Sequence, residues 1–437
     1  WRDEIDAIYF ALRDLPTALS MFVDVAQNGA LYFLAFRPWL RLMGTTEFTL
    51  RYPSGLFGIL AIPLLWQVGR KLIPTNSTQD QDEQPEPAGH RFGPSKYSPL
   101  WQATLGDTAV MAALLLAINP YHLWYSQDGK MYALITLLAL LAVWFWLQGI
   151  DHGGWKPWLG FLLTVSFAIY THLLMILLIP LFFIWFLIAW PQSKYHWKGY
   201  LITLAGLTLP YLPLLWWQWD FLTADEQLTS LTFIPLADIL RTVLLYQSNS
   251  FLQPQNLLYL VPLLVLGLIG LVMGSKAIHL SPGSPLQRLT AGRRHLLIVA
   301  WLVMPVLSIY ILSLRQPVFL PRYIIWITPA TLLLMALGLE LLWRGRGKLA
   351  RPLALALILY IVVYWGTIGW GEKTTTIKAD LRYAVTNISE RRQPDELIIF
   401  QIPHMQYAYA YYTSDQGAHP FDHRDERLGW WDVGLSV

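Results

Sequence analysis

Apolar runs of about 18 to 22 residues with few charged side chains recur along the chain and have the length of membrane-spanning helices. A helix rises about 1.5 Å per residue, so such a run crosses a hydrocarbon core roughly 30 Å thick. Ten spans are predicted, near residues 52–70, 107–124, 131–149, 156–171, 173–190, 200–217, 257–275, 296–313, 323–343 and 352–370. The pattern therefore predicts an all-α polytopic membrane protein.

The segment before the first predicted span also carries apolar runs, but they are short and interrupted by Asp24, Arg37 and Arg41. Runs of this kind favour helices that lie along the membrane interface. Residues 1–51 are therefore predicted to form an external loop with interfacial helices. If residues 29–43 did cross the membrane, every later loop would change sides.

Lysine and arginine accumulate in alternate connections, and this asymmetry predicts the orientation of the spans. With Trp1 outside, the inside connections carry Arg70, Lys71, Arg91, Lys96, Lys156, Lys194, Lys198, Lys276, Arg288, Arg293, Arg294, Arg344, Arg346, Lys348 and Arg351. The outside connections contain fewer cations. Ten crossings then place both termini outside the cell.

The chain is predicted to have three parts: the external loop 1–51, a transmembrane part 52–370 and a third part 371–437. Two further stretches define this organisation. Residues 74–106, rich in proline, glutamine and charge, are predicted to be a flexible cytoplasmic loop within the transmembrane part. The last part contains a helical pattern (TTTIKADLRYAVTNISERR), a turn (QPDE) and an apolar run typical of a strand (LIIFQIP), followed by YAYAYYT. A small external α/β domain is therefore expected at 371–437.

Composition excludes several classes of function. With 55% hydrophobic and 14% charged residues among 437, the chain lacks the polar surface of a soluble protein. The net charge of +3 is spread along the chain, so no footprint for nucleic acid exists. The chain has no cysteine, which excludes disulfides and thiolate chemistry. Most of the 22 tryptophans and 22 tyrosines are expected to be anchors at the headgroups.

The opening WRDEIDAIYF has the first candidate chemical groups, Asp3 and Glu4. Neighbouring residues point in different directions, so one carboxylate can accept a proton while the other supports it. The alternative is that these acids only complement the positive end of a helix dipole.

Candidate cations occur at three other predicted external sites. NPYHLWYSQDGKMYALI places Asp128 and Lys130 in a turn between two spans, and Arg51 and Arg322 stand at the outer ends of the first and ninth spans. Such residues can reach the headgroups without further function, or can bind a phosphate. Acids and cations on one face fit a reaction in which a lipid phosphate leaves and a carboxylate deprotonates an acceptor hydroxyl.

The chain resembles the membrane glycosyltransferases that use polyprenyl-phosphate sugars, the protein O-mannosyltransferase and aminoarabinose transferase superfamily with the C-type fold. The similar segments are WRDEIDAIYF, NGALYFLAFRPWLRLMGTTEFTLRYPSGLFGILAIPLLWQVGRKL, NPYHLWYSQDGKMYALI, YTHLLM and LPRYIIWITPA, which occur in the family's order. Two segments depart from the family pattern: Gln-Asp-Gly-Lys replaces Gln-Glu-Ala-Arg, and Asn28-Gly29-Ala30 replaces a proline before Leu-Tyr. Family members have one span before the acidic loop, so an eleventh span is expected ahead of Trp1.

The resemblance implies a role for each candidate residue. Asp3 would be the catalytic base and Glu4 its supporting acid, and the donor phosphate would be bound by Arg51, Lys130 and Arg322. Asp128, Tyr323 and His172 would line the cavity. Asp3 and Asp128 are weak candidates for a divalent ion, which some relatives bind, although no cofactor is required.

The expected function is inverting transfer of a sugar from a polyprenyl phosphate to an acceptor hydroxyl, at the periplasmic or extracellular face of a bacterial plasma membrane. The expected partners are this donor and membrane lipids, and no nucleic acid. One alternative is a non-catalytic subunit of a membrane complex, since the Gln-Asp-Gly-Lys segment departs from the family. The other is a lipid transporter, although the charges gather at helix ends and no internal repeat is evident.

Overall fold

The computed structural model describes residues 2–23, 29–74, 107–217, 219, 223–224, 229, 231–249, 256–280, 285–375, 380–393, 396–400 and 405–413. Of the predicted cytoplasmic loop 74–106, only Pro74 lies within this description, and Asp107 begins the next described segment. For Asp3 the description covers the helical backbone alone.

The described residues form helices, numbered here in chain order. They are α1 (Arg2–Leu12), α2 (Leu15–Ser20), α3 (Ala30–Met43), α4 (Glu47–Leu72), α5 (Thr108–Ile118), α6 (Pro120–Ser126), α7 (Tyr132–His152), α8 (Trp155–Thr171), α9 (Leu178–Ile188), α10 (Trp190–Ser193), α11 (Trp197–Trp217), α12 (Leu236–Asn249), α13 (Val261–Met273), α14 (Ala291–Ser313), α15 (Thr328–Trp343), α16 (Ala350–Thr374), α17 (Leu381–Arg391) and α18 (Met405–Thr413). Short 3₁₀ turns at Leu173–Leu177, Leu257–Leu260, Gly274–Lys276 and Pro321–Ile327 flank α9, α13 and α15.

Six helical segments of the described chain are long and apolar enough to cross a membrane: Glu47–Leu72, Tyr132–His152, Leu257–Lys276, Ala291–Ser313, Pro321–Trp343 and Ala350–Thr374. The protein is therefore a multi-pass membrane protein. The other predicted spans also coincide with helices, but Thr108–Ile118 and Leu173–Ile188 are shorter. The total of ten spans, or eleven, stays a prediction.

Local sequence explains where several helices begin and end. Thr46 starts α4 because its hydroxyl accepts the amide hydrogen of Thr49 at 3.2 Å, so the helix begins before the predicted residue 52. The predicted span 107–124 divides at Asn119, which has an extended backbone and whose side-chain oxygen accepts the amide of His122 at 2.9 Å. Pro120 occupies the first position of the following helix, where its missing N–H costs nothing.

The last part of the chain, predicted to be an external domain at 371–437, differs from the prediction where it is described. Residues 397–400, the described part of the predicted strand LIIFQIP, form no strand, and no strand occurs elsewhere among the described residues. The YAYAYYT segment is helical and belongs to α18. The described residues therefore do not confirm the expected α/β element.

The buried residues form two cores. The larger lies among the helices of the transmembrane part, where Trp146, Trp185 and Trp301 are fully buried and in edge contact, with ring centroids 5.3 Å and 5.9 Å apart. These tryptophans pack the core and are not headgroup anchors. The smaller core joins α1, α3 and α18 with Leu50 and Met131.

At one end of the transmembrane helices, the buried Arg294 of α14 binds backbone carbonyl groups of neighbouring segments. Arg294 donates hydrogen bonds to the carbonyl oxygens of Lys71 at 2.9 Å and Leu286 at 2.8 Å. Asp151 accepts from the amide of Leu286 at 2.9 Å and pairs with the Lys71 ammonium at 3.4 Å. Connections that were predicted to share the cytoplasmic side therefore meet at one end. Among the described side chains, those of the candidate site residues take no part in this Arg294 cluster.

Candidate functional site

The best-defined contact of the site is a two-pronged ion pair between α1 and α4. Arg51 donates from Nε to Oε1 of Glu4 and from Nη2 to Oε2, both at 2.8 Å. The Glu4 oxygen Oε1 also accepts the backbone amide of Gly129 at 3.1 Å. The buried Glu4 carboxylate thus joins the acidic opening of the chain, the first span and the Gln127–Lys130 turn.

The Glu4 carboxylate is held in its ionised form. Burial by itself raises its pKa, but the hydrogen bonds and charge of Arg51, with the Gly129 amide, together leave the pKa below its ordinary value. A carboxylate of low pKa that is engaged on both oxygens is a poor proton acceptor. This arrangement fits a supporting role for Glu4.

The turn that follows α6 presents Asp128 and Lys130 beside this ion pair. Ser54 of α4 donates its hydroxyl hydrogen to the carbonyl oxygen of Lys130 at 3.0 Å, which fixes the turn on the first span. The Lys130 ammonium lies 5.6 Å from the centre of the Phe33 ring. Asp128 is buried, and its charge interacts with that of Arg51.

Arg322 stands among aromatic rings. Its guanidinium carbon is 5.7 Å from the ring centres of both Tyr132 and Tyr323. The His172 ring packs edge to face against the Tyr323 ring, with ring centroids 4.7 Å apart. Its centroid lies 6.2 Å from that of the Tyr132 ring. The backbone carbonyl of Pro321 accepts the hydroxyl of Tyr121 at 2.6 Å, which ties the Arg322 turn to α6.

His172 lies where α8 ends and a 3₁₀ turn begins, and its extended backbone separates the two helical segments. The side chain is fully buried. Within the described part of the chain, neither ring nitrogen has a hydrogen-bond partner. Buried polar groups in native structures are nearly always hydrogen-bonded, so His172 is exceptional in this respect.

Tyr125 connects the two groups of residues. The Tyr125 and Tyr132 rings pack edge to face, with centroids 5.0 Å apart. Tyr125 also interacts electrostatically with both Asp128 and Arg322. Of the predicted site residues, the structure therefore brings Glu4 and Arg51 together with the Asp128 turn, and joins His172 and Tyr323 to Arg322. Asp3 is adjacent to Glu4 on α1, and its side chain lies outside the description.

Several contacts of the site were not foreseen. The pattern of sequence motifs did not single out Tyr32, which is buried and interacts with the charges of Asp128 and Glu4. It also missed Ser54 and Gly129, which act through a hydroxyl and a backbone amide. Tyr32 lies in the quoted segment NGALYFLAF, but one tyrosine in an apolar helix carries no signal of its own.

The described side chains contain no group of three or more His, Asp or Glu residues that could hold a metal ion. The proposed Asp3 and Asp128 pair involves a side chain that is not described.

These contacts define a multi-pass membrane protein whose acidic first helix is joined to Arg51 of α4 and to the turn that carries Asp128 and Lys130. Comparisons with known proteins agree with this class. A family model described as dolichyl-phosphate-mannose-protein mannosyltransferase matches residues 101–217, a stretch that contains Asp128, Lys130 and His172. No curated protein sequence matches the chain.

A solved structure shares the fold. The crystal structure of ArnT from Cupriavidus metallidurans bound to undecaprenyl phosphate superposes with a TM-score of 0.51 and 13% sequence identity, covering 98% of this chain and 83% of that chain. The resemblance to glycosyltransferases of the polyprenyl-phosphate-sugar class, first evident in the sequence motifs, is confirmed by these two matches.

Proposed function

We propose that this protein is a glycosyltransferase that moves a sugar from a polyprenyl-phosphate donor to an acceptor hydroxyl on the external face of the membrane, with inversion. The observation that carries the proposal is the contact of Glu4 with Arg51 and Gly129, which joins the acidic opening to the turn with Asp128 and Lys130. Its support also includes the fold shared with ArnT, whose crystal structure contains undecaprenyl phosphate, and the mannosyltransferase family match.

In this proposal Asp3 is the general base. Its carboxylate takes the proton of the acceptor hydroxyl while the acceptor oxygen bonds to the anomeric carbon. The bond from that carbon to the phosphate oxygen breaks, and the polyprenyl phosphate leaves with the electron pair. Attack opposite the leaving group inverts the configuration.

Lys130 and Arg322 are proposed to bind the donor phosphate, where negative charge grows in the transition state. His172 and Tyr323 are proposed to line the same cavity, since both rings adjoin Arg322 or each other. Arg51 is a weaker phosphate ligand than the sequence suggested, because Glu4 already accepts from Nε and Nη2. Its proposed task is to hold Glu4.

The scheme needs no organic cofactor. A divalent ion between Asp3 and Asp128 is a separate expectation, and loss of transfer on treatment with a chelator, restored by added Mg²⁺ or Mn²⁺, would support it.

The base assignment is tested by Asp3→Asn in membranes supplied with radiolabelled polyprenyl-phosphate sugars. Asn cannot take the proton, so transfer should fall by at least about 100-fold, the range typical of general-base removal. Asp14→Asn is the matched control, because Asp14 caps α2 through Thr17 and Asn caps a helix equally well.

Unchanged transfer by Asp3→Asn would exclude Asp3 as the base. A chain that binds polyprenyl phosphate but transfers none of the sugars offered would favour the non-catalytic alternative.

A further inference from the structure

Two helices near the end of the described chain, α17 and α18, pack against the elements that meet at Glu4. We call this pair the C-terminal clamp. The buried residues Ala408 and Tyr411 of α18 belong to the smaller core, together with residues of α1 and α3. A segment about 400 positions away in sequence from the acidic opening is thus part of the same packed unit.

The first grip of the clamp is on α1. Tyr407 stacks on Tyr9 with ring centroids 3.9 Å apart and an interplanar angle of 22°. Tyr9 lies on the helix that begins with Asp3 and Glu4. Ala408, next to Tyr407, is almost fully buried against the smaller core. The stack fixes the rotation of α1 at a point between one and two turns beyond its acids.

The second grip is on the start of α4. Tyr411 donates its buried hydroxyl hydrogen to the carbonyl oxygen of Thr45 at 2.7 Å. Arg382 donates to Oε1 of Glu47 at 2.7 Å, and Tyr412 donates to the same oxygen at 3.3 Å. Glu47 is in the first turn of α4, one turn before Arg51.

Both sets of contacts involve the helices that carry the Glu4–Arg51 ion pair. Helix α1 carries Glu4 and helix α4 carries Arg51, and the clamp contacts both helices next to the place where these side chains meet. Tyr411 itself interacts electrostatically with Glu4 and Arg51. Burial, with the nearby Glu47 carboxylate, raises the pKa of Tyr411 to about 12, so the hydroxyl remains a donor throughout the neutral range.

We propose that the C-terminal clamp is a positioning device for the transfer reaction, in which Tyr407 holds α1 and Tyr411 holds the start of α4, so that the Asp3–Glu4 pair stays in register with Arg51. This inference rests on the proposed function for its catalytic part. Tyr407 and Tyr411 touch neither donor nor acceptor in this scheme, so they are positioning residues. A displacement of about 1 Å in a catalytic group can cost about 100-fold in rate.

The structural part is tested by hydrogen–deuterium exchange on the full-length chain in detergent or nanodiscs. Tyr407→Ala removes the ring stacked on Tyr9, and Tyr411→Phe removes only the hydroxyl that binds Thr45. Amides of Arg2–Leu12 should exchange at least about tenfold faster in Tyr407→Ala, with a smaller rise in Tyr411→Phe, while α7 stays unchanged.

Tyr383→Ala is the matched control, because Tyr383 lies on the same clamp but its side chain is 67% exposed. It should leave exchange in α1 unchanged. Exchange in α1 within about twofold of the unaltered chain in Tyr407→Ala would overturn the proposal, as would an equal rise in α7, which reports general loosening.

The catalytic part is tested by the kinetics of sugar transfer. Tyr411→Phe should lower kcat by about tenfold and leave KM for the donor within about twofold, because Ser54 holds the backbone carbonyl of Lys130 and Tyr121 holds that of Pro321, next to Arg322. A raised KM with unchanged kcat would contradict positioning of the acids. Absence of transfer by the unaltered chain would refute the proposed function, whereas the exchange measurement would still report on the clamp.

Discussion

The Glu4 and Arg51 side chains show how a residue's role depends on its partner. From the sequence, Glu4 was expected to be a supporting acid and Arg51 a phosphate ligand. Neither role involved contact with the other residue. The structure joins them through a planar guanidinium and a carboxylate whose atoms match in spacing. Sequence motifs identified both residues as exceptional, but a pair separated by 47 positions is formed only by folding.

The ion pair predicts a pH-dependent contribution to stability. The folded state lowers the pKa of Glu4 below its ordinary value of 4.5, so the contribution is fully present above that pH and is lost as the pH falls through the lowered pKa. Glu4→Gln should reduce the free energy of unfolding at pH 7 by about 3 kcal/mol, because it leaves a partly buried guanidinium without its carboxylate.

Thermal unfolding in detergent from pH 7 to pH 3.5 measures this effect. The difference in melting temperature between Glu4→Gln and the unaltered chain should narrow as the pH falls below 4.5. Glu390→Gln, at an exposed site on α17, should match the unaltered chain at every pH. A difference that is constant across this range would show that the Glu4 carboxylate does not supply the stability.

At the scale of elements, the packing of α13 against α15 depends on two glycines. A Cβ atom on Gly270 would overlap the backbone oxygen of Leu334, and one on Gly338 would overlap the backbone oxygen of Leu266. Small residues let membrane helices approach to backbone contact, where dispersion forces are strongest. Hydropathy predicted both helices, but it could not predict which faces meet.

This contact yields a prediction with an internal control. Gly270→Ala should lower the free energy of unfolding by about 3 kcal/mol, because the added methyl group meets immobile backbone. Gly267 lies one turn earlier on α13, where a new Cβ would have no atom of a neighbouring element within 4 Å. Gly267→Ala should therefore be neutral or slightly stabilising. Thermal unfolding of the two variants measures the difference, and equal melting temperatures would refute the close approach.

At the scale of the whole molecule, the predicted orientation can be compared with the arrangement of the helix ends. The inside-predicted residues Lys71, Asp151 and Arg294 share one cluster. The site residues Glu4, Arg51 and Lys130 share another, formed from connections predicted to be outside. The side of the membrane that each cluster faces remains a prediction from cation counts.

Orientation can be measured directly because the chain has no cysteine, so single substitutions provide unique labelling sites. A membrane-impermeant maleimide should label Thr413→Cys, at an exposed site on α18, in intact cells. It should label Lys348→Cys, in the exposed connection between α15 and α16, only after permeabilisation. The reverse pattern would place the C-terminal clamp and the candidate site in the cytoplasm.

The sequence by itself determined that this chain is a helical membrane protein, because the length of an apolar run is a local property that the bilayer reads directly. It also indicated the chemical class, because acids and cations predicted to lie on one face fall in motifs similar to a known family. The strand predicted from LIIFQIP is not confirmed: its described residues 397–400 form no strand, and a strand requires a partner that a local pattern cannot identify. Only the tertiary structure decided that Arg51 binds Glu4, that a backbone amide at Gly129 completes this contact, and that α18 packs on α1. These are contacts between distant positions, and their geometry depends on the packing of all the helices together.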